Sequence, residues 1–410
     1  MYTFPVYKTN LKGNKMPSVD NTVKKIWPFL PLIIVPGIVL LLAPSIVKNI
    51  MEYFGFHESL GGLLQVAYFS GGTIGILLIT HFMQKWSARQ IILSQVLLLS
   101  LSLFAASVSP WFPLVLLFYV IAGFANGILI TYPGVYATRV CGDESHRAQN
   151  LIYGFFALGV VTSPLLAKLL IDNLHSFRWA LAAPAILIFP LSIPVALTKL
   201  ERIEGVEKLS VEVVRKITTF NRRLFSGLLL ALLLYIAAES AVSLWLITFL
   251  EKEYKVAPSL AHLTLTALWT GITVGRWVVS SLVKKNDPYK IIVFLTIVSG
   301  IVVLAAPLTG SKSASIVLYI LVGLFYSGIY PTLIGYVAWF PDDIASSVFT
   351  LFLAAGALGG AVLPYLVGLV NQFAGRVAGM SSIAVPVFGV LACLFWLRGQ
   401  LLGRDAVLSS

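Results

Sequence analysis

Charged residues are scarce in this chain of 410 residues: Asp, Glu, Lys and Arg together make up only 11%, against 58% for apolar residues, and the mean hydropathy is +0.90. A soluble domain is about a quarter charged, so an ordinary soluble fold is excluded. Many apolar runs reach about 18 residues, which indicates membrane-spanning helices rather than barrel strands. The net charge of +12 is scattered over short loops and does not predict a nucleic-acid partner.

The chain also lacks the residues that metalloproteins and most enzymes require. Its two cysteines, Cys141 and Cys393, fall in a loop and in the last apolar run, so no disulfide is expected. No His/Cys group has metal-ligand spacing, no glycine-rich phosphate motif is present, and no acid–base pair suggests a catalytic centre. The sequence therefore predicts no metal, no cofactor and no enzymatic activity.

Twelve membrane spans follow from hydropathy and length. The first 25 residues are polar and basic without an apolar core, so no cleavable signal peptide is expected, and the first span, from Ile26, must direct insertion. The predicted spans are roughly 27–47, 60–83, 90–108, 112–138, 149–171, 179–198, 224–250, 259–283, 289–308, 313–339, 345–371 and 380–398.

Positive charge sets the expected orientation. With the N-terminus inside, 21 of the 29 Lys and Arg residues lie on the inner side, six on the outer side and two within spans. Because Lys and Arg concentrate in cytoplasmic loops, both termini are expected in the cytoplasm of a multi-pass plasma-membrane protein.

The longest internal loop divides the twelve spans into two halves of six. Within it, Leu209, Val213, Ile217 and Phe220 have near-helical spacing, which fits either a short amphipathic helix on the inner membrane face or a solvated linker. The expected domains are a cytoplasmic N-terminal tail (1–25), an N-terminal six-helix bundle (26–198), a cytoplasmic linker (199–223), a C-terminal six-helix bundle (224–398) and a cytoplasmic C-terminal tail (399–410).

The two halves share short motifs at a nearly constant offset. The matching pairs are Gly71-Gly-Thr-Ile-Gly75 with Gly271-Ile-Thr-Val-Gly275, Ala157-Leu-Gly159 and Pro164 with Ala357-Leu-Gly359 and Pro364, and Tyr132-Pro133 with Tyr330-Pro331. The first two pairs are 200 residues apart and the third is 198 apart. Six-span repeats in the same orientation are typical of alternating-access transporters, whose substrate site lies between the halves at mid-membrane.

One acid, Glu239, lies deep inside an apolar run, Leu224 to Leu250. A carboxylate in hydrocarbon is costly, so function is the default hypothesis; the alternative is a carboxyl that is simply protonated or paired with a neighbouring helix. Arg276 is another charge within a span. At about 1.5 Å rise per residue it lies at a different depth from Glu239, so we expect no static pair. We expect Arg276 to join a gate on the inner side, reaching Asp342 or Asp343.

Span order, span lengths and the repeat resemble the major facilitator superfamily. The stretch Thr80-His-Phe-Met-Gln84-Lys85-Trp86-Ser87-Ala88-Arg89 is similar to the superfamily motif G-x-x-x-D-R-x-G-R-[RK], but Gln84 replaces the acid. An inner latch that needs this acid cannot be carried over. Lys85 and Arg89 keep the positive charge and, with Arg276, are the predicted gating residues. The resemblance implies an all-α membrane protein with twelve transmembrane helices in two pseudo-symmetric six-helix bundles, usually a monomer.

A narrower resemblance is to the branch around fucose permease and sodium-dependent glucose transporters. It is carried by Asn150-Leu-Ile-Tyr-Gly-Phe-Phe-Ala-Leu-Gly159 with Pro164, by Ala238-Glu239 with Trp245, and by Gly275-Arg276. The acids tied to proton coupling in spans one and four of fucose permease have no counterpart here. If protons drive transport, Glu239 is the only intramembrane carboxylate placed for that role.

Spans one, four, seven and ten line the cavity in this superfamily, so their polar residues are the candidate substrate contacts. Hydroxyl and amide groups match the OH groups of a neutral polyol, and aromatic rings cover its CH face. Aromatic residues also serve as interfacial anchors, which is the competing interpretation. The predicted substrate-binding residues are Asn126, Tyr132, Tyr235, Glu239, Ser243, Trp245 and Tyr330.

These features predict a secondary active transporter that moves a small solute, a sugar or a similar neutral molecule, across the lipid bilayer by alternating access. Burial favours the neutral form of a carboxyl group, so Glu239 could change its charge with exposure to either side. The sequence leaves the coupling ion open between proton, sodium and none. The alternative is a proton-coupled exporter of lipophilic or cationic compounds, in which a cation would pair with Glu239.

Overall fold

A computed structural model describes residues 19–141, 145–201, 210–283 and 287–408 of the chain. Every regular element in those ranges is helical, which confirms the predicted all-α class. A short helix, Val19–Ile26, precedes twelve long ones, some built from consecutive segments. These are α1 (Phe29–Phe54), α2 (Glu58–Lys85), α3 (Ala88–Val108), α4 (Phe112–Val140), α5 (Ser145–Leu174), α6 (Arg178–Leu197), α7 (Val211–Lys252), α8 (Pro258–Val283), α9 (Pro288–Leu308), α10 (Lys312–Trp339), α11 (Asp342–Ala374) and α12 (Arg376–Ser382 and Ala384–Leu408).

Within the described ranges, eleven of these helices are long and apolar enough to cross a membrane, and α8 is not among them. Although α8 has 26 residues, it carries His262, Arg276 and four threonines, which lower its hydropathy. It nevertheless packs against α5 and α10 inside the bundle. Each predicted span therefore corresponds to one helix, and the protein is an integral, multi-pass membrane protein.

The first span is longer than predicted and is broken. Its prolines, Pro31, Pro36 and Pro44, lack the N–H that a continuous helix needs, and α1 consists of three segments, Phe29–Leu32, Ile34–Leu40 and Leu42–Phe54. The helix ends only at Gly55, whose φ of 69° is the left-handed conformation that glycine adopts readily. Lys48, which the predicted end near residue 47 placed outside the span, lies within the last turns of the helix.

Part of the predicted linker is helical. Helix α7 begins at Val211, where the side chain of Ser210 accepts a hydrogen bond from the N–H of Val213 at 3.3 Å. Val213 and Ile217 are buried, so this segment is the amphipathic helix rather than the solvated linker; Leu209 lies outside the described residues. At Asn221, with φ −161° and ψ 86°, the backbone leaves the helical conformation before the span itself.

The glycines of the sequence repeat lie where helices cross in backbone contact. A Cβ atom on Gly159 of α5 would lie 1.9 Å from a carbonyl oxygen of α1, and one on Gly359 of α11 would lie 2.1 Å from a carbonyl oxygen of α7. Likewise, Cβ atoms on Gly123 of α4 and Gly323 of α10 would lie 1.9 and 2.0 Å from carbonyl oxygens of α2 and α8. The offset of 200 residues therefore relates equivalent helix contacts in α1–α6 and α7–α12.

Candidate functional site

The helix bundle has a linker side, where α6 ends and α7 begins, and an opposite side, where α1 ends and α2 begins. On the opposite side, ion pairs join α1 and α2 to α7 and α12. Glu251 takes part in one of them although its side chain is only 5% exposed. The pairs are Lys48–Glu251, Lys252–Glu52 at 2.7 Å and Arg376–Glu58 at 2.6 Å.

Backbone packing closes the same side. A Cβ atom on Gly62 of α2 would lie 2.6 Å from the Cα atom of Tyr365 in α11, so the two helices touch with no side chain between them. Nearer the linker side, Ile76 of α2 packs against Ala354 and Ala357 of α11 in one buried cluster. The seam between α2 and α11 is therefore closed over much of its length.

The linker side holds a wide cavity of about 860 Å³ between the linker-side halves of α5, α8 and α10. Arg276 is the one charged residue among the described residues that line it. Pro288 and Trp339 line the cavity at the linker-side ends of α9 and α10, so the cavity opens on this side. The other lining residues include Asn150, Tyr153, Gly154, Ala157, Leu158, Thr270, Thr273, Trp277, Pro331, Thr332 and Tyr336.

A smaller central chamber of about 160 Å³ continues from the wide cavity into the middle of the bundle. Tyr153 and Ala157 line both spaces. Four hydroxyl-bearing residues line the chamber, from α2, α4, α5 and α10: Tyr68, Thr131, Tyr153 and Tyr330. The remaining described lining is apolar, with the ring of Phe69 among it, and no described lining residue is charged.

Glu239 lies beside this chamber but does not line it. The residue is 8% exposed, and its Oε1 atom accepts a hydrogen bond from the hydroxyl of Tyr235, one turn earlier on α7, at 2.6 Å. The same hydroxyl lies 3.0 Å from the backbone carbonyl oxygen of Tyr326 in α10. A phenol has a single hydrogen, so Tyr235 can donate to only one of these two acceptors at a time.

The carbonyl of Tyr326 stands at a break in α10. The first segment of that helix ends at Tyr326 and the next begins at Ile329. Pro331 has no N–H to offer to the carbonyl four residues earlier, that of Ser327, which accounts for the break. Helix α4, by contrast, is continuous through Pro133. The segment beyond the break lines the wide cavity through Pro331 and Thr332, so Tyr235 connects Glu239 to the break in the cavity wall.

Comparison with known proteins assigns the chain to a family. The sequence profile of the Major Facilitator Superfamily matches residues 26–364. This chain belongs to the Major Facilitator Superfamily. It is therefore a transporter of that superfamily, and the predicted fold of two pseudo-symmetric six-helix bundles is confirmed.

Sequence relatives of this superfamily transporter include proteins named for sugars. A "Putative glucose/galactose transporter" of Helicobacter pylori strain J99 is 27% identical over 292 residues, covering 67% of this chain and 70% of the relative. A "Protein TsgA homolog" of Buchnera aphidicola subsp. Acyrthosiphon pisum is 23% identical over 332 residues, covering 79% of this chain and 82% of the relative. The narrower resemblance found in the sequence is thereby supported.

Two kinds of solved structure share the fold. The fucose:proton symporter FucP of E. coli superposes with a TM-score of 0.66 at 16% identity, covering 92% of this chain and 98% of the other. A bacterial homologue of the human lysosomal transporter Spinster, inward-facing and occupied, superposes with a TM-score of 0.75 at 14% identity, covering 96% and 99%. At these identities the similarity concerns the fold.

The structure places the predicted substrate contacts of this superfamily transporter at different depths. Tyr330 lines the central chamber. Asn126 lies behind it and donates from Nδ2 to the hydroxyl oxygen of Tyr68 at 2.6 Å, so it orients a lining residue. Ser243 donates to the backbone carbonyl of Glu239 at 2.8 Å and accepts from Trp269 at 3.2 Å.

Two predicted contacts lie away from both spaces in this conformation. Tyr132 is buried among the rings of Phe29 and Tyr136. Trp245 is fully buried, and its Nε1 donates to the carbonyl oxygen of Pro364 in α11 at 2.7 Å. This bond ties α7 to α11.

The predicted gating residues lie on the linker side. Lys85 and Arg89 are exposed, and neither takes part in an ion pair that the structure describes. Arg276 lines the wide cavity, and its buried Nε atom has no hydrogen-bond partner among the described residues. No ion pair that the structure describes joins Arg276 to Glu239. The side chains of Asp342 and Asp343 lie outside the described residues.

The lining residues of α2, α5 and α8 were not predicted, because the predicted contacts were taken only from spans one, four, seven and ten. Tyr68, Tyr153 and Thr273 are examples. A usable signal was present at Tyr153, which lies within the Asn150 to Gly159 stretch that carries the resemblance.

We expect Lys48→Met to open the opposite side. The substitution leaves the Glu251 carboxylate buried without its partner, and breaking a buried pair in this way costs about 3–5 kcal/mol. Separation of the halves hydrates Glu251 and removes that cost. The measurement uses spin labels at positions 57 and 253 in a chain whose Cys141 and Cys393 are replaced by serine. His57 belongs to the first half and Glu253 to the second, and both are exposed on the opposite side. The distance between the two labels should be longer in the variant.

The matched control is Lys252→Met. Lys252 and Glu52 also join α7 to α1, but their side chains are 39% and 49% exposed, and exposed pairs contribute about 0–1 kcal/mol. The distance distribution should therefore barely change. A Lys48→Met variant that keeps the wild-type distribution would show that the buried pair does not hold this side closed.

Proposed function

We propose that this superfamily transporter imports a small neutral sugar together with protons, and that Glu239 is the proton-coupling residue. It works as a monomer in the plasma membrane, with both termini and the linker side in the cytoplasm. In that orientation the wide cavity faces inward. The domain boundaries are those expected from the sequence, at residues 25, 198, 223 and 398.

The lining of the central chamber carries this proposal. Four hydroxyl-bearing residues, Tyr68, Thr131, Tyr153 and Tyr330, line a space that Phe69 also lines. Hydroxyls can donate to and accept from each OH group of a sugar, and an aromatic face suits its CH groups. An ionic substrate would find no charged partner among the described residues of the chamber.

The position of Glu239 favours a neutral solute over a cation. A transported cation needs an acid in contact with it, whereas Glu239 is outside the chamber lining and already hydrogen-bonded to Tyr235. Support also comes from the relatives: one is named for glucose and galactose, and a fold neighbour is a fucose:proton symporter. The exporter of cationic compounds is the other outcome of the test below.

The contacts of Tyr235 supply a coupling mechanism. When Glu239 is protonated, its O–H can donate to the Tyr235 oxygen while Tyr235 donates to the carbonyl of Tyr326 in α10, and both acceptors are satisfied. When Glu239 is ionised, Tyr235 must donate to the carboxylate, and the carbonyl at the break in α10 loses its donor. Protonation of Glu239 therefore stabilises one geometry of the cavity wall.

We expect a hexose or deoxyhexose to raise the unfolding temperature of the purified protein, since a ligand at about 100 times its Kd adds about 2.7 kcal/mol. Tyr330→Phe should weaken binding by up to about tenfold, because one hydrogen bond contributes about 0.5–1.5 kcal/mol. A thermal-shift panel of hexoses, deoxyhexoses, organic anions and lipophilic cations makes the measurement.

The control for this prediction is Tyr319→Phe on the same helix. Tyr319 is buried outside both spaces, and its hydroxyl has no hydrogen-bond partner in the described part of the chain, so sugar binding should be unchanged. Stabilisation by cations alone, lost in Glu239→Gln, would replace the sugar proposal with the exporter.

A further inference from the structure

A buried histidine joins the two halves on the opposite side. His262 lies in the first turns of α8 and is 3% exposed. Its Nδ1 atom lies 2.8 Å from the carbonyl oxygen of Pro258, one turn earlier. Its Nε2 atom lies 3.1 Å from the carbonyl oxygen of Ser45 in α1, which belongs to the other half of the molecule. Both ring nitrogens therefore face acceptors that carry no hydrogen.

The number of N–H groups on the imidazole ring determines which protonation form fits these contacts. A neutral imidazole has one N–H and one bare nitrogen, whereas the imidazolium ion has two N–H groups. In the neutral form the lone pair of one ring nitrogen would point at a carbonyl oxygen inside a buried site, which leaves that nitrogen without a donor. Only the imidazolium donates to Pro258 and Ser45 together.

We infer that His262 is a second proton-binding site, which takes up a proton when the opposite side closes and then fastens α8 of one half to α1 of the other. The ligand is a proton from the water on that side. The site is separate from Glu239, and the inference depends on the alternating opening of the two sides rather than on the identity of the substrate.

The charges around His262 are compatible with a bound proton. Among the charged groups in the described ranges, Glu251 on α7 and Lys168 on α5 act electrostatically on the ring. Glu251 favours the imidazolium and is itself paired with Lys48 of α1. Lys168 opposes it but is paired with Asp172. Burial of the ring opposes the charged form more strongly than either neighbouring ion pair affects it, so the imidazolium is held by its two carbonyl acceptors, Pro258 and Ser45.

Opening of the opposite side would release the proton. Separation of the halves takes the carbonyl of Ser45 away from Nε2 and admits water, and an ordinary histidine loses its proton near pH 6.5. Closure and protonation therefore favour each other by linkage. A rise in pH on that side should shift the transporter toward the state that is open there.

The direct test is NMR of isotope-labelled histidine in the full chain, with His57, His81, His146 and His175 replaced by glutamine so that only His262 reports. We expect ring nitrogen signals of the imidazolium form at about pH 7.5, where an ordinary histidine is about nine-tenths neutral. A neutral ring with one protonated nitrogen at that pH would overturn the inference. No substrate is needed, so this result is independent of the sugar proposal.

A second measurement follows the conformational consequence. With spin labels at positions 57 and 253, raising the pH from about 6.5 to about 8.5 should increase the longer-distance population several-fold, as expected for a group that titrates in this range. In His262→Gln, whose amide can donate to Ser45 but does not titrate, the populations should not change with pH. His175→Gln is the control, because His175 is an exposed histidine on the same side. A pH response that survives in His262→Gln would also overturn the inference.

Discussion

Replacement of Glu239 by glutamine is expected to abolish sugar accumulation driven by a proton gradient while leaving sugar exchange intact. Glutamine has the shape of the protonated acid, and its amide can keep the contact with Tyr235, so the fold and the chamber persist. It cannot release a proton, so the free energy of the gradient no longer acts on the transport cycle. Uptake and counterflow in proteoliposomes measure the two activities separately.

The expected effect is large. One elementary charge moving through 100 mV is worth about 2.3 kcal/mol, which corresponds to an accumulation of about 50-fold for one proton per sugar. In Glu239→Gln the ratio should fall to about one. The control is Glu253→Gln, because Glu253 is exposed at the end of the same helix and should not affect accumulation. Concentrative uptake that persists in Glu239→Gln would remove Glu239 from the coupling mechanism.

Gly159→Ala is expected to destabilise the fold although alanine is the better helix former. The new Cβ atom would lie 1.9 Å from the carbonyl oxygen of Ile34 in α1. Backbone cannot move aside as a side chain does, so α1 and α5 must separate, at a cost at the upper end of the about 1–3 kcal/mol seen for overpacked cores. The midpoint of thermal unfolding in detergent should fall clearly below that of the wild type.

Helix α5 provides its own matched control at Gly154. A Cβ atom there has nothing within 4 Å, so Gly154→Ala should be neutral or slightly stabilising, by up to about 1 kcal/mol of helix propensity. Gly359→Ala should behave like Gly159→Ala, because its Cβ atom would meet α7 at 2.1 Å. Equal midpoints for Gly159→Ala and Gly154→Ala would mean that the crossing of α1 and α5 can relax without loss of stability.

Local patterns in the chain were sufficient to predict the helices. A span is recognised by its own length and hydropathy, because every backbone polar group in hydrocarbon must be satisfied within the helix. Two helices, α8 and α1, depart from what local hydropathy predicts. Helix α8 lies among other helices, so it tolerates His262 and four threonines that lower its hydropathy. Helix α1 runs past Lys48 because Glu251 of another helix supplies a partner for that charge.

The candidate site was only partly visible in the sequence. Glu239 stands out because a lone acid in an apolar run is rare, and Tyr330, a predicted substrate contact, lines the central chamber. Other predicted contacts, such as Tyr132 and Trp245, pack between helices instead. Which face of a helix looks into the chamber depends on its rotation in the bundle, and an apolar span surrounded by lipid and protein carries little amphipathic signal for that rotation.

By itself the sequence determined the number of helices, their order, the repeat and the class of protein, because these depend on local hydropathy and on motifs that occur twice, 198 or 200 residues apart. The tertiary structure alone decided the contacts between distant segments. It set Tyr235 between Glu239 and the break in α10, Lys48 against Glu251, and His262 against Ser45. Such contacts join residues up to 217 positions apart, and they arise only when helices pack at specific rotations, which local patterns do not encode.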